Sequence, residues 1–300
     1  MRVRYSFSSR RTGNIDNIRK QRTPFPKMVR KVVEISDIIL EVLDARFIDE
    51  TRNLELEKFI RKEGKKLIFV LNKSDLVNIE EKKIDLQKRG ITPFVFVSCK
   101  DRRGAGALRE RIKIEASRLK VSDETKQEII DENPKVNMNE ELKRLDYKRK
   151  QVGVIGYPNT GKSSLINFLT RRGAAKTAAE SGFTKGIQKV RLNKDILVLD
   201  TPGVIPDKEY SVGRDKVAHH AKLGVRTYDR VKDPEYVVLK LVEQYKDALQ
   251  DYYNVKAEDS EKLIEEVGKK KNLLIKGGEV DVDRAARFIL REWQEGKIRV

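Results

Sequence analysis

The 300-residue chain has one cysteine, one tryptophan, two histidines and three methionines. Cys99 has no partner for an internal disulfide, and two histidines beside a lone thiol argue against a zinc site. No apolar run reaches the ~18–20 residues a membrane-spanning helix needs. The first residues, MRVRYSFSSRRTGNIDNIRKQR, lack the apolar stretch of a secretory signal. These absences predict a soluble, cytoplasmic protein with no membrane partner, expected to act as a monomer.

What the chain has is charge. Hydrophobic residues make up 38% and charged residues 37%, too apolar for a disordered chain and too charged for a membrane protein. The length predicts about two domains. Lysine and arginine number 65 against 47 acids, a net +18. Residues 1–31 carry ten bases and one acid, Asp16, so ten minus one, or half of that excess, lies in this segment. Such an arm suits a polyanion, because each neutralised phosphate releases counterions. Tyr5, Phe7 and Phe25 lie among its charges and are suited to stacking on unpaired bases. Nucleic acid is the partner this composition favours. Ion-pair-rich surfaces of thermophilic proteins share the same charge density, so composition alone does not decide it.

Beyond the arm, apolar runs alternate with charged helical stretches. Val32–Ser36 is expected to lead into a strand at Asp37–Leu43, followed by strands at Lys66–Leu71 and Pro93–Val97 and a helix over Gly104–Leu119. Residues 120–150 are polar and read as a connector. Strands follow at Val152–Ile155, near Ile187–Leu192 and at Ile196–Leu199. This alternation predicts an α/β, doubly wound, mostly parallel sheet over 32–205. From 206 to 300 the pattern is helical, with Asp233-Pro234 as a helix start, Asp281 or Asp283 as a later cap, and Trp293 as a core anchor.

Gly156-Tyr157-Pro158-Asn159-Thr160-Gly161-Lys162-Ser163 matches G-x-x-x-x-G-K-[ST], directly after a buried-type strand and opening a helix that continues through Ser164. Such a loop turns backbone N–H groups onto phosphates at a helix N-terminus. Lys162 is expected to reach the β- and γ-phosphates and Ser163 to ligate Mg²⁺. Asp200-Thr201-Pro202-Gly203 ends a strand about forty residues on. There Asp200 is expected to hold Mg²⁺ and the Gly203 amide to sense the γ-phosphate. Between them Thr184, in Gly182-Phe183-Thr184-Lys185-Gly186, is placed to close on Mg²⁺ as part of the catalytic set.

Asn72-Lys73-Ser74-Asp75 selects the base. A carboxylate at Asp75 accepts both N1–H and N2–H₂ of guanine, an arrangement adenine does not offer. Lys73 and Lys100 have stems suited to flank a purine. In the turn Ser98-Cys99-Lys100 the Cys99 N–H is expected to meet guanine O6. The nucleotide is therefore expected to be GTP or GDP.

In ordinary GTPases the P-loop comes first, then D-x-x-G, then N-K-x-D. Here the base-reading motifs at 72–75 and 98–100 precede the P-loop at 156. The sequence resembles the circularly permuted GTPases of the YlqF/RbgA type, which include nucleostemin. Asp44-Ala45-Arg46-Phe47 looks like their D-A-R-x element, and Gly277-Gly278 with Asp283–Ile298 like their C-terminal segment. The resemblance implies a GTPase that acts on rRNA in assembly of the large ribosomal subunit, with residues 206–300 as an RNA-binding helical domain. Asn159 matches the P-loop asparagine that coordinates K⁺ in potassium-activated relatives. Two positions depart from expectation. Val204 stands where Ras-like enzymes place a water-orienting glutamine, so hydrolysis is expected to be slow. Lys27 stands where bacterial relatives have a histidine proposed as catalytic, and it suits either transition-state charge or RNA. Two alternatives stay open: an RNA-binding GTP sensor with negligible hydrolysis, and a GTPase acting on tRNA or mRNA.

Overall fold

The computed structural model of the chain describes residues 24–119, 150–170, 188–192, 196–200 and 213–300. Its strands are β1 (Ile38–Asp44), β2 (Lys66–Asn72), β3 (Phe94–Phe96), β4 (Lys150–Gly156), β5 (Gln188–Arg191) and β6 (Ile196–Asp200). They form one sheet in the order β3–β2–β1–β4–β6–β5. Every pairing is parallel except β5 with β6, at one edge. Every residue of β1 is buried, as a central strand covered on both faces requires.

On one face Leu40, Val42, Val154 and Val198 share a core with Leu108 and Ile112 of α5 (Ala105–Ser117) and Leu165 of α6 (Lys162–Thr170). On the other face lie α1 (Pro24–Ile35), the short α2 (Ile48–Thr51), α3 (Leu54–Lys62) and α4 (Ile79–Lys88). Val29 and Val33 of α1 pack with Ile39, Ile155 and Ile60, and Leu86 of α4 with Leu43, Phe69 and Leu71.

Helix α1 corrects the predicted arm, whose last eight residues it contains. Val29, Val32 and Val33 repeat at helical spacing and are buried, whereas Arg30 and Lys31 between them are exposed. That apolar stripe outweighs the charge of the segment. Gly153 lets α1 lie close on β4, because a Cβ there would sit 2.6 Å from Ser36 Oγ and 2.9 Å from Val32 Cγ1. Val32–Ile35 thus ends a helix before β1 begins. The earlier part of the arm with Tyr5 and Phe7, the 120–149 connector, Thr184, and Gly203 to Val204 with the expected 205/206 boundary lie outside the described residues.

The remaining helices are α7 (Arg214–Lys222), α8 (Pro234–Tyr253), α9 (Ser260–Lys270) and α10 (Val282–Gln294). Asp233, Asp259 and Asp281 cap the last three, each accepting from the backbone N–H of the third residue on. Their shared core contains Val238, Leu241, Ile264, Ile289 and Trp293, the last fully buried. It also takes in Phe47 and Tyr157 from the sheet's loops. Among the described residues no helix is long and apolar enough to cross a membrane.

Chain order sets where a site can form. From β1 the chain moves outward to β2 and β3, then returns beside β1 with β4 and continues the other way to β6 and β5. The winding direction reverses between β1 and β4, and in open α/β sheets the crevice at such a reversal lies beyond the strands' carboxyl ends. Asp44, Asn72 and Gly156 end the three strands that meet there.

Candidate nucleotide site

Gly156 ends β4 with its backbone against β1, where an added Cβ would lie 2.4 Å from the Val42 carbonyl oxygen. The chain then curls through Tyr157–Gly161 and enters α6 at Lys162. The Lys162 ammonium is buried and donates to the carbonyls of Tyr157 at 2.7 Å and Gly156 at 3.1 Å. Thr160 Oγ1 donates to the Tyr157 carbonyl at 2.9 Å. The loop is therefore wound around its own lysine, and the N-terminal end of α6, with Ser163 and Ser164 in its first turn, opens into it.

Strand β2 delivers Asn72 beside this loop. Its Nδ2 donates to the Thr160 carbonyl at 2.8 Å, and its Oδ1 accepts the Cys99 N–H at 3.3 Å. Gly161 makes room: at φ +95°, a Cβ there would stand 2.2 Å from Asn72 Nδ2. The next residue, Lys73, takes the left-handed conformation at φ 61°, and a 3₁₀ turn over Ser74–Leu76 follows. The Ser98 hydroxyl donates to Asp75 Oδ1 at 2.7 Å and accepts the Asp101 N–H at 3.0 Å. Asp75, Ser98, Cys99 and the P-loop are thereby brought together from three strands.

The charges follow from burial and pairing. Asp44 is buried, which alone would raise its pKa. The Arg46 guanidinium at 2.9 Å and the Lys73 ammonium at 2.7 Å outweigh this and hold its carboxyl well below the usual range. Burial and the neighbouring Asp75 charge push the Cys99 thiol up to about 12, so it is a poor nucleophile at neutral pH.

Asn72, Lys73, Asp75, Ser98, Cys99, Lys100 and Pro158–Ser164 all lie around this one crevice. Asp200 ends β6 opposite Val154 of β4, which puts its backbone on the same side as Ser163. Thr184 and Gly203 fall outside the described residues, and Lys27 lies in α1. The Cys99 N–H, expected to meet guanine O6, donates here to Asn72 Oδ1, the acceptor within reach of a part-buried amide. At 3.3 Å that bond is just longer than the usual range. For the phosphates and Mg²⁺ the fit is one of chemistry: a glycine-turned loop, a buried ammonium and a helix N-terminus suit an anion, and the Ser163 hydroxyl offers a hard oxygen to a divalent cation.

Sequence reasoning missed the contact between this crevice and the C-terminal helices. Asn159, at φ 60°, donates its side-chain N–H to the Gly224 carbonyl. Lys100 Nζ donates to the Gly296 carbonyl at 3.3 Å. The Val300 N–H donates to the Leu76 carbonyl at 3.1 Å. Arg46 Nη1 donates to the Trp293 carbonyl at 3.1 Å. These pairs are far apart in sequence and carry no short-range signal. The local sign of such a cover is Phe47, an apolar side chain beside the charged Asp44 and Arg46 that packs into the C-terminal core.

The family profile described as a 50S ribosome-binding GTPase matches residues 151–275. The match begins on the P-loop strand and leaves out the 72–75 and 98–100 motifs upstream, as a rotated chain order would produce. GDP-bound YlqF of T. maritima superposes with a TM-score of 0.58 at 22% identity, covering 90% of this chain and 96% of that one. The uncharacterized GTP-binding protein MJ1464 of Methanocaldococcus jannaschii is 38% identical, over 94% of this chain and 68% of that protein. This chain belongs to the YlqF and nucleostemin-related family of circularly permuted GTPases. Nucleolar GTP-binding protein 2 of Neurospora crassa, 34% identical, matches 89% of this chain but only 40% of its own length. The chain spans about two thirds of its methanogen relative and well under half of this fungal one. For the YlqF-type fold, the agreement extends to the mostly parallel sheet with helices at its C-terminal end.

Proposed function

We propose that this member of the GTP-binding family is a GTP-hydrolysing switch that binds rRNA and acts in assembly of the large ribosomal subunit. The observation that carries the nucleotide part is the Asn72 side chain, bonded at once to the P-loop and to the 98–100 turn. In this reading Asp75, oriented by Ser98, accepts guanine N1–H and N2–H₂, while the stems of Lys73 and Lys100 flank the ring. Backbone N–H groups over Pro158–Ser164 wrap the phosphates and Lys162 neutralises the β- and γ-oxygens. Ser163, Asp200 and Thr184 would hold Mg²⁺, which would supply positive charge to the phosphates. Gly203 reports the γ-phosphate.

Chemistry is slow by itself in this reading, because Val204 cannot orient a water. The side-chain nitrogen of Asn159 donates to the Gly224 carbonyl, and its side-chain oxygen is the group that would ligate K⁺. Beside the β/γ bridge a monovalent cation would do the work of an arginine finger. Support for the RNA part comes from the basic segment before α1 and from the ribosomal and nucleolar names of the matching profile and fungal relative. A second reading, a GTP sensor that binds RNA with negligible hydrolysis, is favoured by Val204. Single-turnover hydrolysis with and without large-subunit particles separates the two. Acceleration by the particles supports the switch, intact bound GTP in both supports the sensor, and failure to bind GTP removes both.

A further inference from the structure

The Asp44 carboxylate sits at the end of β1 with its acceptor capacity filled. Oδ1 accepts the Arg46 N–H and Nε–H, each at 3.1 Å, and Oδ2 accepts Arg46 Nη2 at 2.9 Å and the Lys73 ammonium at 2.7 Å. The two cations it holds point in different directions. Lys73 belongs to the base-reading turn. Arg46 reaches with its remaining nitrogen, Nη1, to the Trp293 carbonyl in the last turn of α10, where a cation also suits the helix's negative end. Its guanidinium lies 4.7 Å from the Phe47 ring centre and 5.5 Å from that of Trp293. Two further contacts bind the same helix end to the base side, Lys100 to Gly296 and Leu76 to Val300.

We propose that Asp44 is a positioning residue for the base site: it fixes the Lys73 ammonium and, through Arg46, ties that lysine to the end of α10, so that guanine binding and docking of the C-terminal helices are coupled. The inference rests on the guanine-site reading above. It follows from how few ways this cluster can rearrange. A buried carboxylate whose oxygens each accept two hydrogen bonds cannot release either cation without leaving a buried oxygen short of a donor. A shift of Lys73 against a base is therefore felt at Arg46, and a shift of α10 is felt at Lys73. By linkage the effect runs equally in both directions.

Trp293 is the single tryptophan of the chain and stands at the far end of this connection, its indole N–H held by the Lys222 carbonyl at 3.0 Å. Its emission is therefore a built-in reporter. GDP should change Trp293 fluorescence in proportion to occupancy measured by calorimetry. In Asp44→Asn the new amide turns donors toward Arg46 and Lys73, and GDP affinity should fall about tenfold or more. Because that variant leaves two cations unpaired and can fail to fold, Arg46→Lys provides the second arm. A lysine keeps the charge against Asp44 but lacks the planar fork that spans to Trp293. Arg46→Lys should bind GDP within about threefold of wild type and lose the Trp293 response. A silent Trp293 in wild type that binds GDP, or a wild-type response in Arg46→Lys, overturns the coupling. Unchanged GDP affinity in folded Asp44→Asn overturns the positioning role. Wild type that binds GDP no better than ADP removes the guanine-site reading itself, and the inference with it.

Discussion

Asn72 and Thr160 are 88 positions apart in the chain and are joined by one 2.8 Å hydrogen bond from side-chain amide to carbonyl. The bond joins the end of β2 to the P-loop after β4, and through Cys99 the same side chain holds the turn after β3. In this chain the strands that lead into the 72–75 and 98–100 turns come before the one that leads into the P-loop. A hydrogen bond across the sheet is indifferent to which segment is made first. Permutation therefore changes what the loops connect to while leaving the crevice intact, and it places the C-terminal helices immediately after the phosphate half.

Gly161→Ala tests that bond directly. The new Cβ would stand 2.2 Å from Asn72 Nδ2 at a φ of +95°, so both the backbone and the bond must give. Breaking a buried bond and adding left-handed strain together cost about 2–4 kcal/mol. The expected result is a melting temperature several degrees lower and GDP binding too weak for calorimetry at micromolar protein. A variant with wild-type affinity would show that Asn72 does not set the P-loop.

Asp75→Asn should turn the base preference from guanine toward xanthine, since an amide places a donor where guanine N1–H also donates. Ser98 Oγ at 2.7 Å still orients the new side chain, so the turn should stay folded. GTP affinity should fall by about 10³–10⁵, with XTP partly restored. Unchanged GTP affinity would place the base elsewhere.

How much of this is legible in the sequence depends on the range of the interaction. The sheet, the P-loop, the turns at 72–75 and 98–100 and the caps at Asp233 and Asp281 are readable because each is written in a few consecutive residues. Helix α1 escapes such a reading because net charge over residues 1–31 conceals the valine stripe at 29, 32 and 33. The contacts of Asn159 with Gly224 and of Arg46 with Trp293 join residues whose local sequence says nothing of each other. Asp44 is legible as a motif residue but not as the partner of Lys73, since only the pairing of β1 with β2, which sets Asp44 opposite Asn72, brings it to the base side.

Replacing Na⁺ by K⁺ at constant ionic strength should raise the rate of GTP hydrolysis, and Asn159→Ala should abolish the difference. The side chain is already held by the Gly224 carbonyl, so less of it has to be ordered when its oxygen takes up a cation. Equal wild-type rates in both salts, at saturating Mg²⁺ and GTP, would remove K⁺ from the reaction.

Glu41 makes stability depend on pH. It lies buried within β1, its Oε1 accepting the Asn53 N–H at 2.9 Å. Burial, aided by the charge of Glu57, pushes its carboxyl up to about 8 from an ordinary 4.5, against the opposing pull of Asn53, Arg52 and Arg61. Between those values the folded state holds a proton that the unfolded state has released. The stability this confers is full below about pH 4.5 and is lost as pH rises toward 8. Melting temperature should therefore fall from pH 5 to 8 through this group. Glu41→Gln should flatten that decline and be the more stable protein above pH 8, by an amount on the order of a few kcal/mol. Parallel pH profiles for the two proteins would show that Glu41 is not protonated in the fold.

Deleting residues 1–22 should weaken binding to large-subunit particles far more than binding of GDP. The segment holds Arg2, Arg4, Arg10, Arg11, Arg19, Lys20 and Arg22 against Asp16 alone. It ends before α1 begins at Pro24, so the valines that seat α1 on the sheet are retained and both halves of the crevice should stay folded. If several of those side chains meet phosphates, affinity should fall with salt by up to ~0.7–0.9 log units per log unit of salt for each phosphate met. The truncated protein should then show a shallower slope, by roughly that amount for each phosphate it no longer meets. GDP affinity measured on the same preparations separates removal of the arm from damage to the fold. Equal slopes and equal affinities would mean that the arm is only solvated, and the RNA contacts would then have to come from the C-terminal helices.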